Sequence, residues 1–216
     1  MLTALAFLLC YLVGAIPFGV LAGKLCGVDV RSIGSGNIGA TNVYRALGPK
    51  VGIPVFALDV LKGVAGPFIG RALLGPEAFG EIALCGLLVA AGHVFSVFLK
   101  FQGGKAIATG LGVYGALSFP VAASCLALWG VVLLITRMVS AASIAACLAT
   151  PVACWFFKVP LEFFVAMSLI ALVAFLKHLP NLKRIQAGTE PKLGDKKKSV
   201  PSNESPIETP SGVTAK

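Results

Sequence analysis

The chain has 216 residues, of which 57% are hydrophobic and only 12% are charged, and its formal net charge is +9. A soluble domain carries about 25% charged residues because its surface needs them, so this composition excludes an ordinary soluble domain and indicates a surface that faces lipid. The basic residues lie between and after the apolar segments, as in membrane proteins, so the positive charge does not indicate a nucleic-acid partner.

Long apolar segments predict an all-α, polytopic integral membrane protein. The segments are residues 2–23, 51–70, 82–99, 106–136, 138–157 and 159–176. The first has 22 residues without a charge, which is enough to cross a hydrocarbon core of roughly 30 Å. The fourth is too long for one span, and Ser118 and Pro120 predict a break within it.

The distribution of Lys and Arg predicts about seven spans, some of them short. The basic loop 24–50 and the loop around Lys105 are expected on the cytoplasmic side. Arg137 and the basic carboxyl-terminal region reach the same side only if segment 106–136 crosses twice. This places the amino terminus outside and the carboxyl terminus in the cytoplasm. Residues 106–117 would cover only about 18 Å as a helix, so a short or half-spanning helix is expected there.

The composition changes near the end of the chain. Residues 189–216 are rich in Lys, Pro, Ser, Thr and Glu and contain almost no large apolar residue, so they cannot bury a core. We therefore expect one transmembrane domain over residues 1–188, followed by a disordered, basic and polar cytoplasmic tail over residues 189–216.

The first polar island is the glycine-rich stretch of residues 33–45. We expect Asn37 to cap a short helix that runs to Leu47, which would place Asn37, Thr41 and Arg45 on one face. A helix amino terminus with free N–H groups and an arginine nearby suits a phosphate. The alternative is an ordinary glycine-rich membrane loop.

Polar residues between the third and fourth apolar segments form a second island, with His93 followed by Gly103, Gly104 and Lys105. We expect Lys105 in the first turn of the next helix, where the helix dipole disfavours a cation unless an anion lies between them. Ala106 replaces the Ser or Thr of a Walker A loop, so ATP hydrolysis is not supported. The alternatives are a snorkelling interfacial lysine and a helix-packing histidine.

The third island follows the last span and comprises Lys177, His178, Pro180, Asn181, Lys183, Arg184 and Glu190. Pro180 is expected to end the membrane helix and to begin a short interfacial one, with Asn181 and Arg184 on one face. The alternative for the basic residues is that they only set the membrane topology.

Two charged residues lie inside the second apolar segment. Asp59 and Lys62 each cost about 2.5–3.5 kcal/mol near the middle of a membrane, and their spacing allows them to pair. Either they form a structural ion pair, or Lys62 helps to hold a substrate phosphate.

The islands together indicate a pocket for one or two phosphates that holds a phosphorylated lipid at the bilayer surface. The cationic candidates are Arg45, Lys62, Lys105, Lys177, Lys183 and Arg184. The neutral donors are Ser35, Asn37, Thr41, Asn42 and Asn181. No paired carboxylates and no pattern of metal ligands stand out in the sequence.

These islands, in this order, resemble the PlsY family of bacterial glycerol-3-phosphate acyltransferases over roughly residues 1–190. The motifs that carry the resemblance are Gly14–Gly19, Gly34–Asn42, Leu58–Gly63, Gly92–Phe95, Gly103–Lys105, and the set Lys177, His178, Asn181 and Arg184. The resemblance implies a multi-pass enzyme of the bacterial inner membrane whose active site faces the cytoplasm. It implies transfer of an acyl chain from acyl-phosphate to the 1-hydroxyl of glycerol-3-phosphate, giving lysophosphatidic acid and phosphate.

The resemblance also implies roles for residues and partners. The implied catalytic set is Ser35, Arg45, Lys105, His178 and Asn181. The implied substrate-binding set is Asn37, Thr41, Asn42, Lys62, His93, Gly103, Gly104, Lys177, Arg184 and Glu190. No metal and no other cofactor is implied, and the partners are membrane lipids and the upstream enzyme that forms acyl-phosphate. Either His178 or an oxygen of a substrate phosphate serves as the base.

The chain departs from the family pattern at Ser96, where Pro is frequent, at Gln102, where Lys is common, and at Ala106, where Gly is frequent. Two other functions remain open. A transporter of an organic anion would place its polar residues near the middle of the membrane, often in two related halves. A CDP-alcohol phosphotransferase would need several clustered Asp residues, whereas this chain has only three, spread far apart.

Overall fold

The computed structural model describes residues 1–195, which form α-helices and no β-strand. The helices are α1 Leu2–Ala15, α2 Phe18–Leu25, α3 Ala40–Leu47, α4 Pro49–Leu74, α5 Phe79–Val94, α6 Ile107–Leu117, α7 Phe119–Thr136, α8 Val139–Phe156, α9 Leu161–Lys177 and α10 Leu179–Gln186, with a 3-10 turn at Val97–Leu99. The expected all-α fold is confirmed.

Several helices are long and apolar enough to cross a membrane. They are α4, α5 with the turn that follows it, α7 and α8. Two bent pairs, α1 with α2 at 40° and α9 with α10 at 50°, add further spans if each pair crosses as a unit. Side chains such as Leu134 and Trp155, which are 83% and 75% exposed, form an apolar outer surface of the kind that lipid covers. The number of spans and the orientation of the termini stay predictions.

The expected break in the fourth apolar segment is confirmed. Helix α6 ends at Leu117, Ser118 adopts an extended conformation, and α7 begins at Phe119 with Pro120 in its first turn. Proline fits the first turn of a helix because its missing N–H would have no partner there. Helix α6 has only 11 residues and is too short to span a membrane alone.

Glycines bring α4 and α6 into backbone contact from both sides. A Cβ atom on Gly63 would lie 2.1 Å from the carbonyl oxygen of Thr109, and one on Gly112 would lie 2.0 Å from that of Val60. Small residues of this kind let helices approach closely where lipid gives no hydrophobic driving force for their association.

Helices α1 and α5 are joined in the same way. A Cβ atom on Gly14 would lie 2.0 Å from the carbonyl oxygen of Val89, and one on Gly92 would lie 2.2 Å from that of Tyr11. We call the contact of α4 with α6 and the contact of α1 with α5 the glycine seams. They fix the frame on which the polar loops are mounted.

The first apolar segment, which was expected to form one continuous span, contains a break between α1 and α2. Pro17 lacks an N–H group, and α1 ends just before it. The carbonyl groups freed by this break are bonded by buried side chains: the Ser96 hydroxyl donates to the Ala15 carbonyl at 2.6 Å, and Lys62 Nζ donates to the Ile16 carbonyl at 2.9 Å. Unsatisfied carbonyls are costly in lipid, so these side chains stabilise the bend.

The chain does not leave the helical domain at residue 188, where the tail was expected to begin. Residues 189–195, which we call the strap, turn back onto the helices, and Glu190 is only 7% exposed. Contacts with the domain therefore extend seven residues beyond the expected boundary. The rest of the expected disordered tail, residues 196–216, lies outside the described residues.

Candidate active site

The loop between α2 and α3 is organised by Asn42, a buried residue of α3. Asn42 Oδ1 accepts hydrogen bonds from the backbone N–H of Ser35 at 2.9 Å and from its hydroxyl at 3.2 Å. Asn42 Nδ2 donates to the carbonyl groups of Val30 at 2.8 Å and Ile33 at 3.1 Å. These bonds use both donors and both acceptor sites of the amide. Asn42 therefore holds the loop that carries the exposed Ser35, and its contact with substrate stays a prediction.

Helix α3 begins at Ala40, so Asn37 does not cap it as expected. Asn37 Oδ1 instead accepts a hydrogen bond from the backbone N–H of Gly39 at 2.9 Å, which turns the loop ahead of the helix. Asparagine competes for nearby backbone groups in this way, and here the local turn replaces the cap. Thr41 and Arg45 remain four residues apart on α3 and share a face, but Asn37 lies outside the helix.

The backbone N–H groups of Gly103 and Gly104 donate hydrogen bonds to the end of α5. The N–H of Gly103 donates to the carbonyl of Val94, and that of Gly104 donates to the carbonyl of His93, both at 3.0 Å. A Cβ atom on Gly103 would lie 2.0 Å from the His93 carbonyl oxygen, and one on Gly104 would lie 2.2 Å from His93 Nε2. These glycines therefore let the loop pack against the end of α5, and the contact of Gly103 and Gly104 with phosphate stays a prediction.

The tight packing of the glycines sets the position of Lys105. Helix α6 begins at Ile107, so Lys105 precedes the first turn rather than occupying it. Ala106 lies between them in a left-handed conformation with φ of 58°. Lys105 Nζ donates a hydrogen bond to Asn181 Oδ1, which joins this loop to α10.

Burial is the main reason that the pKa of Lys105 falls to about 8. The nearby charges of Arg184 and Arg45 lower it further, whereas Glu190 opposes them. Lys105 is thus a cation close to its titration point, among other cations, in a place where a bound anion would be stabilising.

Asn181 and Arg184 share one face of α10, as expected from their spacing, and both bond the strap. Asn181 Nδ2 donates to Glu190 Oε1 at 2.8 Å, and Arg184 Nε donates to Glu190 Oε2 at 2.7 Å. Burial alone raises the pKa of Glu190, but the hydrogen bonds from these side chains outweigh it, and the net pKa lies below its usual value. Glu190 is therefore a fixed carboxylate that holds two of the predicted site residues.

Arg45 reaches the same cluster from α3. Its Nη2 donates to the carbonyl of Pro191 in the strap at 3.2 Å. Burial lowers the pKa of Arg45, and the carboxylates of Glu190 and Asp195 oppose that effect. The structure thus brings residues from α3, the glycine loop, α10 and the strap to one place.

His178 and Lys177 lie at the joint between α9 and α10. His178 is 5% exposed, and its Nδ1 lies 2.8 Å from the carbonyl oxygen of Ala174. A carbonyl only accepts hydrogen bonds, so Nδ1 carries the proton and a neutral ring keeps an acceptor lone pair on Nε2. The Lys177 ammonium stacks 5.2 Å above the ring of Phe95 instead of bonding the cluster.

The structure places Lys62 and His93 in the helical core. Lys62 Nζ lies 2.7 Å from Asp59 Oδ1, and both side chains are 3% exposed. His93 Nδ1 lies 3.7 Å from the same carboxylate oxygen. These contacts favour the structural alternative for both residues: Lys62 pairs with Asp59 and stabilises the bend after α1, and His93 supports the glycine loop.

Hydrogen bonds, either direct or through the strap, thus join five of the residues named from the sequence, which are Arg45, Lys105, Asn181, Arg184 and Glu190. Arg137, in the turn between α7 and α8, was named only as a marker of topology. Its Nη2 donates to the carbonyl of Leu193 at 2.6 Å, so it contacts the strap. No local sequence signal pairs two residues that are 56 positions apart.

Comparisons with known proteins agree on one family. The family model described as glycerol-3-phosphate acyltransferase matches residues 4–188. The glycerol-3-phosphate acyltransferase of Geotalea daltonii is 46% identical over 185 residues, covering 83% of this chain and 92% of the relative. That of Carboxydothermus hydrogenoformans is 42% identical over 194 residues, covering 89% and 97%.

Solved structures extend the similarity to the fold. A crystal structure of PlsY, an integral membrane glycerol 3-phosphate acyltransferase, in its glycerol 3-phosphate form superposes with a TM-score of 0.84 at 38% identity, covering 89% of this chain and 96% of that chain. Its lysophosphatidic acid form gives a TM-score of 0.82 at 37% identity, with 89% and 95% coverage.

Proposed function

Because the chain belongs to the glycerol-3-phosphate acyltransferase family and is an integral membrane enzyme, we propose that its acyl donor is acyl-phosphate. The acyl chain passes to the 1-hydroxyl of glycerol-3-phosphate, and the products are lysophosphatidic acid and phosphate. Family membership argues against the transporter and against the CDP-alcohol phosphotransferase. The observation that carries the proposal is the meeting of Arg45, Lys105 and Arg184 in one polar cluster.

This cluster has the charge that two phosphate-bearing substrates need. The three basic side chains outnumber the acidic groups near them, Glu190 and Asp195. Arginine forms bidentate hydrogen bonds with phosphate oxygens, and lysine adds a point charge. Ser35, Asn181 and His178 add neutral groups for the glycerol hydroxyls. Thr41, four residues before Arg45 on α3, and Asn37, in the loop ahead of that helix, contact the second phosphate.

An apolar recess borders the cluster. Ala106 follows Lys105 directly and lines a cavity of about 40 Å³ between α5, α6 and α9, together with Val94, Phe95 and Ile170. Each buried CH₂ of an acyl chain contributes about 0.8 kcal/mol. A donor with its phosphate at Lys105 would therefore lay its chain along the lipid-facing side of this recess.

The reaction needs positioning and charge stabilisation more than a strong catalyst, because an acyl-phosphate is already activated. The oxygen of the glycerol 1-hydroxyl attacks the acyl carbonyl carbon, the bond from that carbon to the phosphate oxygen breaks, and inorganic phosphate leaves. The hydroxyl proton passes either to His178 Nε2 or to an oxygen of a substrate phosphate. Lys105 balances the negative charge on the departing phosphate.

An assay of donor choice tests the proposal. Purified protein is given labelled glycerol-3-phosphate with either acyl-phosphate or acyl-CoA, and we expect lysophosphatidic acid from acyl-phosphate only. Lys105→Ala should lose most of this activity, whereas Lys100→Ala, an exposed lysine of the same loop, should keep it. Product formed equally well from acyl-CoA, or normal activity in Lys105→Ala, would contradict the proposal.

The role of His178 has its own test. If His178 is the base, His178→Ala lowers kcat by roughly 10²- to 10⁴-fold, the range for general base catalysis. A kcat close to that of the unmodified protein would assign the proton to a substrate phosphate instead.

We also propose that the enzyme lies in the bacterial inner membrane with its active site facing the cytoplasm. Cys26, in the loop before α3, is the exposed cysteine of the chain, and the other five are buried. A membrane-impermeant maleimide should therefore label Cys26 in inverted vesicles but not in intact spheroplasts. Labelling of Cys26 only in spheroplasts would contradict the proposal and show that this loop faces the periplasm.

A further inference from the structure

The strap is fastened to the turn between α7 and α8 by a pair of hydrogen bonds. Arg137 Nη2 donates to the carbonyl of Leu193 at 2.6 Å, and the backbone N–H of Leu193 donates to the carbonyl of Arg137 at 2.7 Å. Arg137 adopts φ of 59°, a conformation that costs about 1–2 kcal/mol for a residue with a side chain. The guanidinium group therefore stands at this turn despite backbone strain.

The strap connects this fastening to the catalytic cluster. Glu190 lies three residues before Leu193, and its carboxylate accepts hydrogen bonds from Asn181 and Arg184. Asn181 in turn presents its Oδ1 to Lys105. An amide that donates on one side and accepts on the other has only one correct orientation, and Glu190 selects it.

We propose that Arg137 is a positioning residue for acyl transfer, which holds the strap so that Glu190 orients Asn181 and, through it, Lys105. The inference rests on the proposed function for its kinetic consequences and on geometry for the docking of the strap. Arg137 does not touch the substrates. The acyltransferase domain then comprises residues 1–195 rather than 1–188.

The strap depends on such bonds because it has little else to hold it. Residues 189–195 form no helix, and Leu193 is their one large apolar side chain. Ordering a residue costs about 1–2 kcal/mol of backbone entropy, which a segment of this kind cannot recover by burying apolar surface. Arg45, bonded to the Pro191 carbonyl, gives the strap a second fastening.

The test compares substitutions at Arg137 in the full chain. Arg137→Ala removes the guanidinium and keeps the backbone strain, whereas Arg137→Gly removes both, so the glycine variant separates the fastening from any loss of folding. Both should lower kcat/KM for glycerol-3-phosphate by roughly 10- to 100-fold, the effect of a misplacement of about 1 Å. Arg137→Lys should retain part of the kcat/KM that the other two variants lose. Lys158→Ala is the matched control, because Lys158 is an exposed basic residue with φ of 51° in the next interhelical turn.

A double-mutant cycle separates positioning from a general structural effect. If Arg137 acts through Glu190, then Arg137→Ala has little further effect on kcat/KM in a Glu190→Ala background. Multiplicative losses, or wild-type kinetics in Arg137→Gly, would overturn the proposal.

Hydrogen exchange tests the docking of the strap without any activity. Peptides that cover residues 189–195 should exchange at least several-fold faster in Arg137→Ala and Arg137→Gly than in the unmodified chain or in Lys158→Ala. Unchanged exchange would refute the fastening even if the protein is an active acyltransferase. If the variants exchange faster but the unmodified protein makes no lysophosphatidic acid, the fastening by Arg137 is supported and the proposed function is rejected.

Discussion

Removing Asp59 alone should destabilise the protein more than removing Asp59 and Lys62 together. In Asp59→Ala the buried Lys62 ammonium loses its partner at 2.7 Å and keeps only the Ile16 carbonyl at 2.9 Å. Leaving one charge of a buried pair uncompensated costs about 3–5 kcal/mol. For a chain of this length each kcal/mol corresponds to about 2–4 °C, so the thermal midpoint should fall by about 6–20 °C.

The double variant Asp59→Ala/Lys62→Met leaves no unpaired charge. What it loses is the hydrogen bond to the Ile16 carbonyl, which keeps only the N–H of Phe18 at 3.2 Å. An under-satisfied buried group of this kind costs about 1–3 kcal/mol, which is less than the single substitution. Thermal inactivation of the purified variants in one detergent measures both values.

The exposed ion pair of Asp29 with Arg31 provides the control for the buried pair of Asp59 with Lys62. Asp29 pairs with Arg31 at 2.8 Å, but the two side chains are 47% and 53% exposed, so Asp29→Ala should leave the thermal midpoint almost unchanged. The structural reading of Lys62 fails if Asp59→Ala is no more harmful than Asp29→Ala. It fails equally if the double variant is as stable as the unmodified protein but has a KM for glycerol-3-phosphate raised more than about tenfold, since Lys62 would then bind phosphate.

Three further predictions test the loop and the cluster. Ala106→Gly should stabilise the protein by up to about 1 kcal/mol, because relief of the left-handed alanine exceeds the added entropy of the unfolded chain; an unchanged or lower thermal midpoint would argue against that conformation. Gly103→Ala should abolish most activity because its Cβ meets a carbonyl at 2.0 Å, whereas Gly115→Ala, with open space around it, should be tolerated; equal behaviour of the two would contradict the packing. Lys105, with a pKa of about 8, loses its charge as pH rises, so kcat/KM should fall above about pH 8. Glu190 raises that pKa, so Glu190→Gln should move this alkaline limb to lower pH, and a shift to higher pH would refute the assigned sign.

Local signals in the sequence predicted the helical architecture and the breaks that depend on nearby residues. The break at Ser118 and the short helix that starts around Pro180 follow from proline chemistry within one turn, and both are confirmed. The bend after α1 also contains Pro17, but it was not predicted because Pro17 lies within an uncharged apolar segment.

Hydrogen-bond partners chosen by tertiary contacts could not be predicted. The sequence suggests free amides at Gly103 and Gly104, but the approach of α5 supplies carbonyl acceptors for both. Asn42 was predicted to bind substrate from its place in the motif, and its four hydrogen bonds to the loop depend on the folded structure. The polar composition of residues 189–195 predicted disorder, because composition does not reveal that Arg45 and Arg137 donate hydrogen bonds to the carbonyl groups of Pro191 and Leu193.

The glycine seams have a consequence for turnover in a living membrane. Helices whose backbones interlock from both sides cannot slide or rotate without driving a carbonyl oxygen into a neighbouring Cα. We therefore expect substrates to enter and leave by movements of the loops and the strap, while α1, α4, α5 and α6 keep their mutual positions.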